Sequence, residues 1–181
     1  MLKWLIRNRL SAFEAKYGYD VTYARDLLAT DLGAFMTYAR MAKLGAYKKD
    51  IPLDVYAAAK LVTVVSEDCG PCTQLVVAFS LEDGVSPSTI AAVLEGNELV
   101  MSPEVLLGVR YARALIARST EADELRAVIE RRWGKRAIAA LAFGITSARL
   151  FPTLKYALGH GRACSRIVVA GESIVPQQVA L

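Results

Sequence analysis

The sequence predicts an all-α fold, on three observations. Ala is the commonest residue, and Leu, Arg, Glu and Lys, all strong helix formers, fill the stretches between breakers. Apolar residues recur at helical spacing, as in Leu2, Leu5, Ile6, Leu10 and Phe13. Strand signals are confined to Leu61–Val65 and Ile167–Val169, apolar runs so short that periodicity alone does not separate strand from buried helix.

Taken in order, the first helix is expected from Met1 to about Lys16, interrupted by Gly18 to Asp20. A longer helix is expected from Val21 to about Leu44, stopped by Gly45. Asp50 and Pro52 mark the start of a third, running to about Val65, because proline is tolerated in a first helical turn. Ser86-Pro87 and Ser102-Pro103 each place a capping hydroxyl before a proline. Thr120 with Asp123 resembles a capping box, with Asp in place of Glu. Gly134 separates Arg132-Trp133 from a helix over Ala137–Leu150, and Pro152 begins or kinks a further helix through Tyr156. The predicted organisation is a single helical domain. Residues 1–49 form N-terminal helices, residues 50–165 the core, and residues 166–181 an irregular tail.

Composition narrows the function classes. Hydrophobic residues make up 54% of the chain, and the 12 glycines bring the share to roughly 60%, against a usual ~45–50%. That excludes intrinsic disorder. It also predicts that part of the apolar surface is covered by another copy of the chain, a homo-oligomer. The net charge of +4, from 22 basic and 18 acidic residues, is spread along the chain and implies no nucleic-acid partner. The basic run Glu130–Arg136, with Trp133 inside it, reads as a helix end whose cations suit the dipole rather than as a base-stacking platform.

No membrane span is expected, because the longest charge-free run, Cys69–Leu81, has 13 residues and a span needs about 18. At the N-terminus, MLKWLIRNRL is interrupted by Lys3, Arg7 and Arg9, and no A-x-A site follows, so no signal peptide is expected. Three cysteines, an odd number, do not make a secreted disulfide framework. A cytoplasmic protein is the expectation.

The segment Ser66-Glu67-Asp68-Cys69-Gly70-Pro71-Cys72-Thr73 carries the chemistry. A two-residue gap closes a small disulfide ring when the second cysteine sits in a helix's first turn. There, free N–H groups and the helix dipole favour its thiolate. Three readings compete: a redox pair, a zinc half-site, and buried structural thiols. A closed zinc site wants four ligands, and this chain offers one His and one further Cys, so no metal and no other cofactor is expected. The tetrapeptide C-G-P-C is also found in thioredoxins, but no Trp precedes Cys69 and no βαβ pattern surrounds it.

Over a longer stretch, from about Val55 to Gly84 and again from Trp133-Gly134 to Phe151-Pro152-Thr153-Leu154-Lys155-Tyr156-Ala157-Leu158-Gly159, the chain resembles the alkylhydroperoxidase D-like and carboxymuconolactone decarboxylase family. The resemblance implies an all-helical, oligomeric fold and a disulfide-cycling pair. Cys72 would then attack peroxide, Cys69 would resolve the intermediate, and an external dithiol would recycle the disulfide. It also implies a proton relay of Glu and His. The relay His position holds Val76, and the relay Glu position falls near Ala57. Loss of both predicts slow peroxide chemistry, since general acid–base help is worth roughly 10²–10⁴-fold.

Glu67 is the first candidate for a replacement acid; Asp54 and His160 are the others. Cys164 reads as a structural thiol. The predicted function is therefore a thiol-dependent oxidoreductase acting on a peroxide or disulfide, with site residues Cys69, Cys72 and Glu67. Two alternatives remain: a non-redox enzyme of carboxymuconolactone decarboxylase type, and a non-catalytic oligomer that binds a small molecule or is purely structural.

Overall fold

A computed structural model gives the fold and describes residues 1–161 and 167–177. Cys164 therefore lies outside the described residues. Eight α-helices occur among the described residues: α1 Leu2–Tyr17, α2 Thr22–Thr30, α3 Leu32–Met41, α4 Leu53–Ser66, α5 Gly70–Glu82, α6 Pro87–Glu95, α7 Pro103–Ile116 and α8 Glu121–Ala157. Two short 3-10 turns lie at Leu44–Ala46 and Glu98–Val100.

The centre of the fold is α4. Apart from Asp54 and Lys60 its residues are largely apolar on every side, which marks a helix surrounded by others. Val55 to Ala59 and Leu61 to Val65 are buried, and the helix packs against α5, α6, α7 and α8. The apolar run Leu61–Val65 thus belongs to a buried helix rather than a strand. Gly108 of α7 permits the closest crossing, because a Cβ placed there would stand 2.9 Å from the carbonyl oxygen of Val55.

The serine–proline starts act as caps. Ser86 Oγ accepts from the Thr89 N–H at 3.1 Å, and Ser102 Oγ accepts from the Val105 N–H at 3.2 Å. Thr120 makes no side-chain cap; Ser119 Oγ accepts from the Glu121 N–H instead, so the capping residue lies one position earlier than expected.

Two further expectations are corrected. The single helix expected over Val21 to Leu44 is two helices, because Asp31 adopts an extended conformation and caps α3 through the Ala34 N–H at 2.6 Å. Within the stretch expected to be an irregular tail, β1 Ile167–Val169 pairs antiparallel with β2 Glu172–Ile174. This hairpin is pinned to α5 by Gln74. Its Nε2 donates to the Val168 carbonyl at 3.0 Å, and its Oε1 accepts from the Val168 N–H at 2.7 Å.

Gly134 interrupts α8 with φ 81° and ψ 176°, so the helix is kinked there, between Trp133 and Ala137. Pro152 lies inside α8, which continues through it to Ala157. By length and composition α8 is apolar enough to cross a membrane, with an 18-residue window of mean hydropathy 1.5. Single charges such as Arg149 interrupt its apolar stretch, so it contains no long uncharged run. Ala137, Ala140, Leu141 and Ala148 of α8 are nonetheless in the core of this chain, and α8 packs against α4 and α7.

Candidate functional site

The turn between α4 and α5 carries the cysteine motif. Helix α4 ends at Ser66, and Asp68 takes a left-handed φ of 50°, which reverses the chain. Cys69 is then the N-cap of α5, with Pro71 in its first turn. The Cys69 carbonyl accepts from both the backbone N–H and the hydroxyl of Thr73. Cys72 follows in the same first turn, where the dipole favours a negative sulfur. Cys69 and Cys72 form a disulfide with their Cα atoms 5.2 Å apart. Both residues are buried.

The two sulfurs differ in surroundings. Cys72 lines a partly enclosed cavity of about 450 Å³; Cys69 is not on its wall. The cavity is bounded by α1, α2, α3, α4, α5 and α8. Apolar wall comes from Phe13, Leu75, Val76, Phe79 and Phe151. The positions near which the family pattern would place Glu and His, Ala57 and Val76, both face this cavity. The space those groups would fill is therefore lined by methyl groups.

Polar groups enter from other positions. Tyr19 Oη lies 3.9 Å from Cys72 Sγ. The disulfide sulfur has no hydrogen, so the phenol is the donor. Burial pushes the Tyr19 hydroxyl up to about 12, and burial likewise raises Tyr23 and Tyr38, whose hydroxyls bond each other at 2.9 Å. All three stay protonated near neutral pH, and in the Tyr23–Tyr38 pair one hydroxyl donates to the other. Behind them Lys155 is buried, with its Nζ 4.9 Å from the Tyr19 ring centroid and 5.6 Å from that of Tyr23. Lys48, Lys60, Tyr56 and Asp83 also line the cavity, with Lys48 and Lys60 both beside the Tyr56 ring. Lys48 ion-pairs with Asp83, and Tyr56 donates to the Gly45 carbonyl at 2.8 Å.

The expected helper residues lie elsewhere. Glu67 is the C-terminal cap residue of α4, two residues before Cys69, and Arg149 of α8 bonds its Oε1 at 2.7 Å; it is not among the residues that line the cavity. Asp54 is exposed in the first turn of α4. His160 Nε2 meets Asp26 at 3.1 Å, and its ring stands 6.4 Å from that of Tyr23. No group of three or more potential metal ligands occurs among the described residues.

Sequence reasoning missed Tyr19 and Lys60. Lys60 had a legible signal: it is the single charge in the apolar run Val55–Val65 of a central helix. Tyr19 had none, because only tertiary packing brings it to Cys72.

Tyr19→Phe tests its placement. A hydrogen bond to a charged group is worth roughly 1.5–3 kcal/mol, and the long contact argues for the lower end, about tenfold. Alkylation of reduced Cys72 at pH 7, followed by mass, is expected to slow by up to about that factor, with the thiol titrating at higher pH. An unchanged pH profile would remove Tyr19 from the site.

Fold and site together define a helical protein with a disulfide on the wall of a small-molecule-sized cavity. No family model matches the chain, and no curated protein or solved structure matches it either.

Proposed function

We propose that this chain is a thiol-dependent oxidoreductase of alkylhydroperoxidase D-like type. The observation that carries the reading is the position of Cys72: first turn of α5, bonded to Cys69, and open to the cavity. In this reading the Cys72 thiolate attacks the distal oxygen of a hydroperoxide. The O–O bond breaks, an alcohol leaves after taking a proton, and Cys72 becomes a sulfenic acid. The Cys69 thiol attacks that sulfur, water leaves, and the disulfide forms. An external dithiol reduces it, becoming a disulfide in turn. With a disulfide substrate, the first step is thiol–disulfide exchange instead. A reducing cytoplasmic setting supplies the dithiol.

Tyr19 steadies the charged sulfur from the cavity side. Glu67, the expected acid, stands outside the cavity in an ion pair with Arg149, so its part in the reading rests on closeness in sequence to Cys69.

The test equilibrates the protein in graded dithiol buffers, alkylates it, and reads each cysteine by mass. A reversible Cys69–Cys72 pair with a potential of roughly −120 to −270 mV, the range of known oxidoreductases, supports the reading. Thiols that never pair, or a disulfide that no physiological dithiol opens, would overturn it. The cavity itself favours the second reading, a binding protein without turnover. Ligand-induced thermal stabilisation without peroxide or disulfide reduction is its signature.

A homo-oligomer is part of the same proposal. Of the apolar α8 window only 44% is buried within the chain. A shallow groove lined by Met41, Tyr111, Leu115, Leu150 and Leu154 runs beside it. Such a face is covered by another apolar surface. Light scattering at micromolar concentration is expected to give a multiple of 19.7 kDa. A monomeric mass would sink this part of the proposal.

A further inference from the structure

We infer that the cavity beside Cys72 is a binding site for a small amphipathic carboxylate, its anionic end on Lys60 and its apolar body against the aromatic wall. The proposal goes beyond the redox reading and stands on the cavity alone.

Lys60 is on the central helix α4, and its side chain lines the cavity, with Nζ 5.5 Å from the Tyr56 ring centroid. Two other groups near it carry charge, Lys48 and Asp83, and these two are paired with each other. Glu82, also on the wall, is taken by Lys16 and by the Tyr17 hydroxyl. Among the described residues no carboxylate forms an ion pair with Lys60. Lys60, Lys48 and Asp83 together therefore carry one positive charge more than negative.

A cation removed from water is costly unless an anion or hydrogen-bond acceptors compensate it. Burial, and next the neighbouring Lys48, pull the Lys60 ammonium down to about 8, while Asp83 opposes them. A bound carboxylate would reverse that cost through a charge-assisted hydrogen bond. The donor set also chooses the anion. One lysine, with no Arg fork and no helix N-terminus shown beside it, suits a single carboxylate better than a phosphate.

The rest of the cavity suits an apolar body. Phe13, Phe79 and Phe151 supply rings, and Leu75 and Val76 supply aliphatic wall. A volume of about 450 Å³ falls within the ~300–1,000 Å³ of ordinary small-molecule sites. The hydroxyls of Tyr19, Tyr23 and Tyr38 stay neutral, and Lys155 stands against the Tyr19 and Tyr23 rings without lining the cavity.

The test uses the full chain and three probes with the same eight-carbon body: octanoate, octanol and octylamine. Calorimetry at pH 7 is expected to show octanoate binding at least about tenfold tighter than octanol, with octylamine weakest. The groups facing Lys60 are Lys48, Asp83 and the neutral Tyr56. Loss of the Lys60 proton dominates above pH 8. Octanoate affinity should then fall, approaching about tenfold per pH unit, while octanol binding stays level.

Lys60→Met should erase the preference for octanoate, and Lys60→Arg should keep it and remove the fall above pH 8. Equal affinity for octanoate and octanol, a pH-independent octanoate affinity, or no binding of any probe would overturn the proposal. If Lys60→Met fails to fold, the wild-type probe comparison and pH series still decide. Binding is read without turnover. The proposal can therefore fail while the Cys69–Cys72 couple proves reversible, and octanoate binding can hold while the disulfide proves irreducible.

Discussion

Cys72→Ser is expected to abolish dithiol-driven reduction of peroxide or disulfide, by about a thousandfold or more, because a serine hydroxyl near neutral pH is a far weaker nucleophile than a thiolate. Cys69→Ser should behave differently. Its Cys72 can still attack peroxide once, so a single stoichiometric burst is expected, after which the protein stalls as a sulfenic acid. Stopped-flow measurement of the burst, with mass-spectrometric trapping of the sulfenic acid on Cys72, separates the two variants. Both positions are buried, and serine is close in volume to cysteine, so circular dichroism should show unchanged helix content. Full turnover in Cys72→Ser would end the assignment. A burst in Cys72→Ser and none in Cys69→Ser would exchange the roles of the two sulfurs.

The largest effect on stability is expected at Gly108. A Cβ there would meet Val55 Cγ1 at 2.8 Å and the Val55 carbonyl oxygen at 2.9 Å. The obstacle is partly backbone, and Val55 is fully buried, so no side-chain rotation clears it. Helices α4 and α7 must move apart. Gly108→Ala is expected to cost about 1–3 kcal/mol, as overpacked core sites do, and Gly108→Leu more. Urea unfolding followed by circular dichroism measures it. Gly108→Ala with wild-type stability would show that the two helices separate without loss. Displacement of α4 would also shift Lys60 and Ala57, so carboxylate binding should weaken in the same variant.

What the sequence disclosed, and what it withheld, follows from the range of the interactions. Ser86-Pro87 and Ser102-Pro103 announce their helices because a cap is made within three residues. The break at Asp31 was equally local: a capping residue followed by Leu32-Gly33-Ala34. The apolar letters on either side conceal it, since they continue a helical pattern across the gap. Ile167–Val169 gave a strand signal, but its pairing with Glu172–Ile174 escaped because three-residue strands show almost no alternation, and the hairpin's support comes from Gln74, more than ninety positions away. At the site, Cys69 and Cys72 are legible because their spacing is itself the chemistry. The residues that share the cavity with Cys72 come from six helices and their connections. Proximity in sequence pointed to Glu67, which the fold turns toward Arg149, while Tyr19 arrives from a segment with no motif of its own and Lys60 shows only as the lone charge of an apolar run.

Gln74 has a further consequence. It stands two residues after Cys72, and its amide grips both backbone groups of Val168. Any change in the first turn of α5 during a cycle of the disulfide would tug on that grip. The peptide hydrogen of Val168 is therefore a built-in reporter. Its exchange with heavy water should be slow while the clasp is shut and should quicken when the helix loosens. Comparing that one rate in oxidised and reduced protein would show whether the two sulfurs speak to the end of the chain.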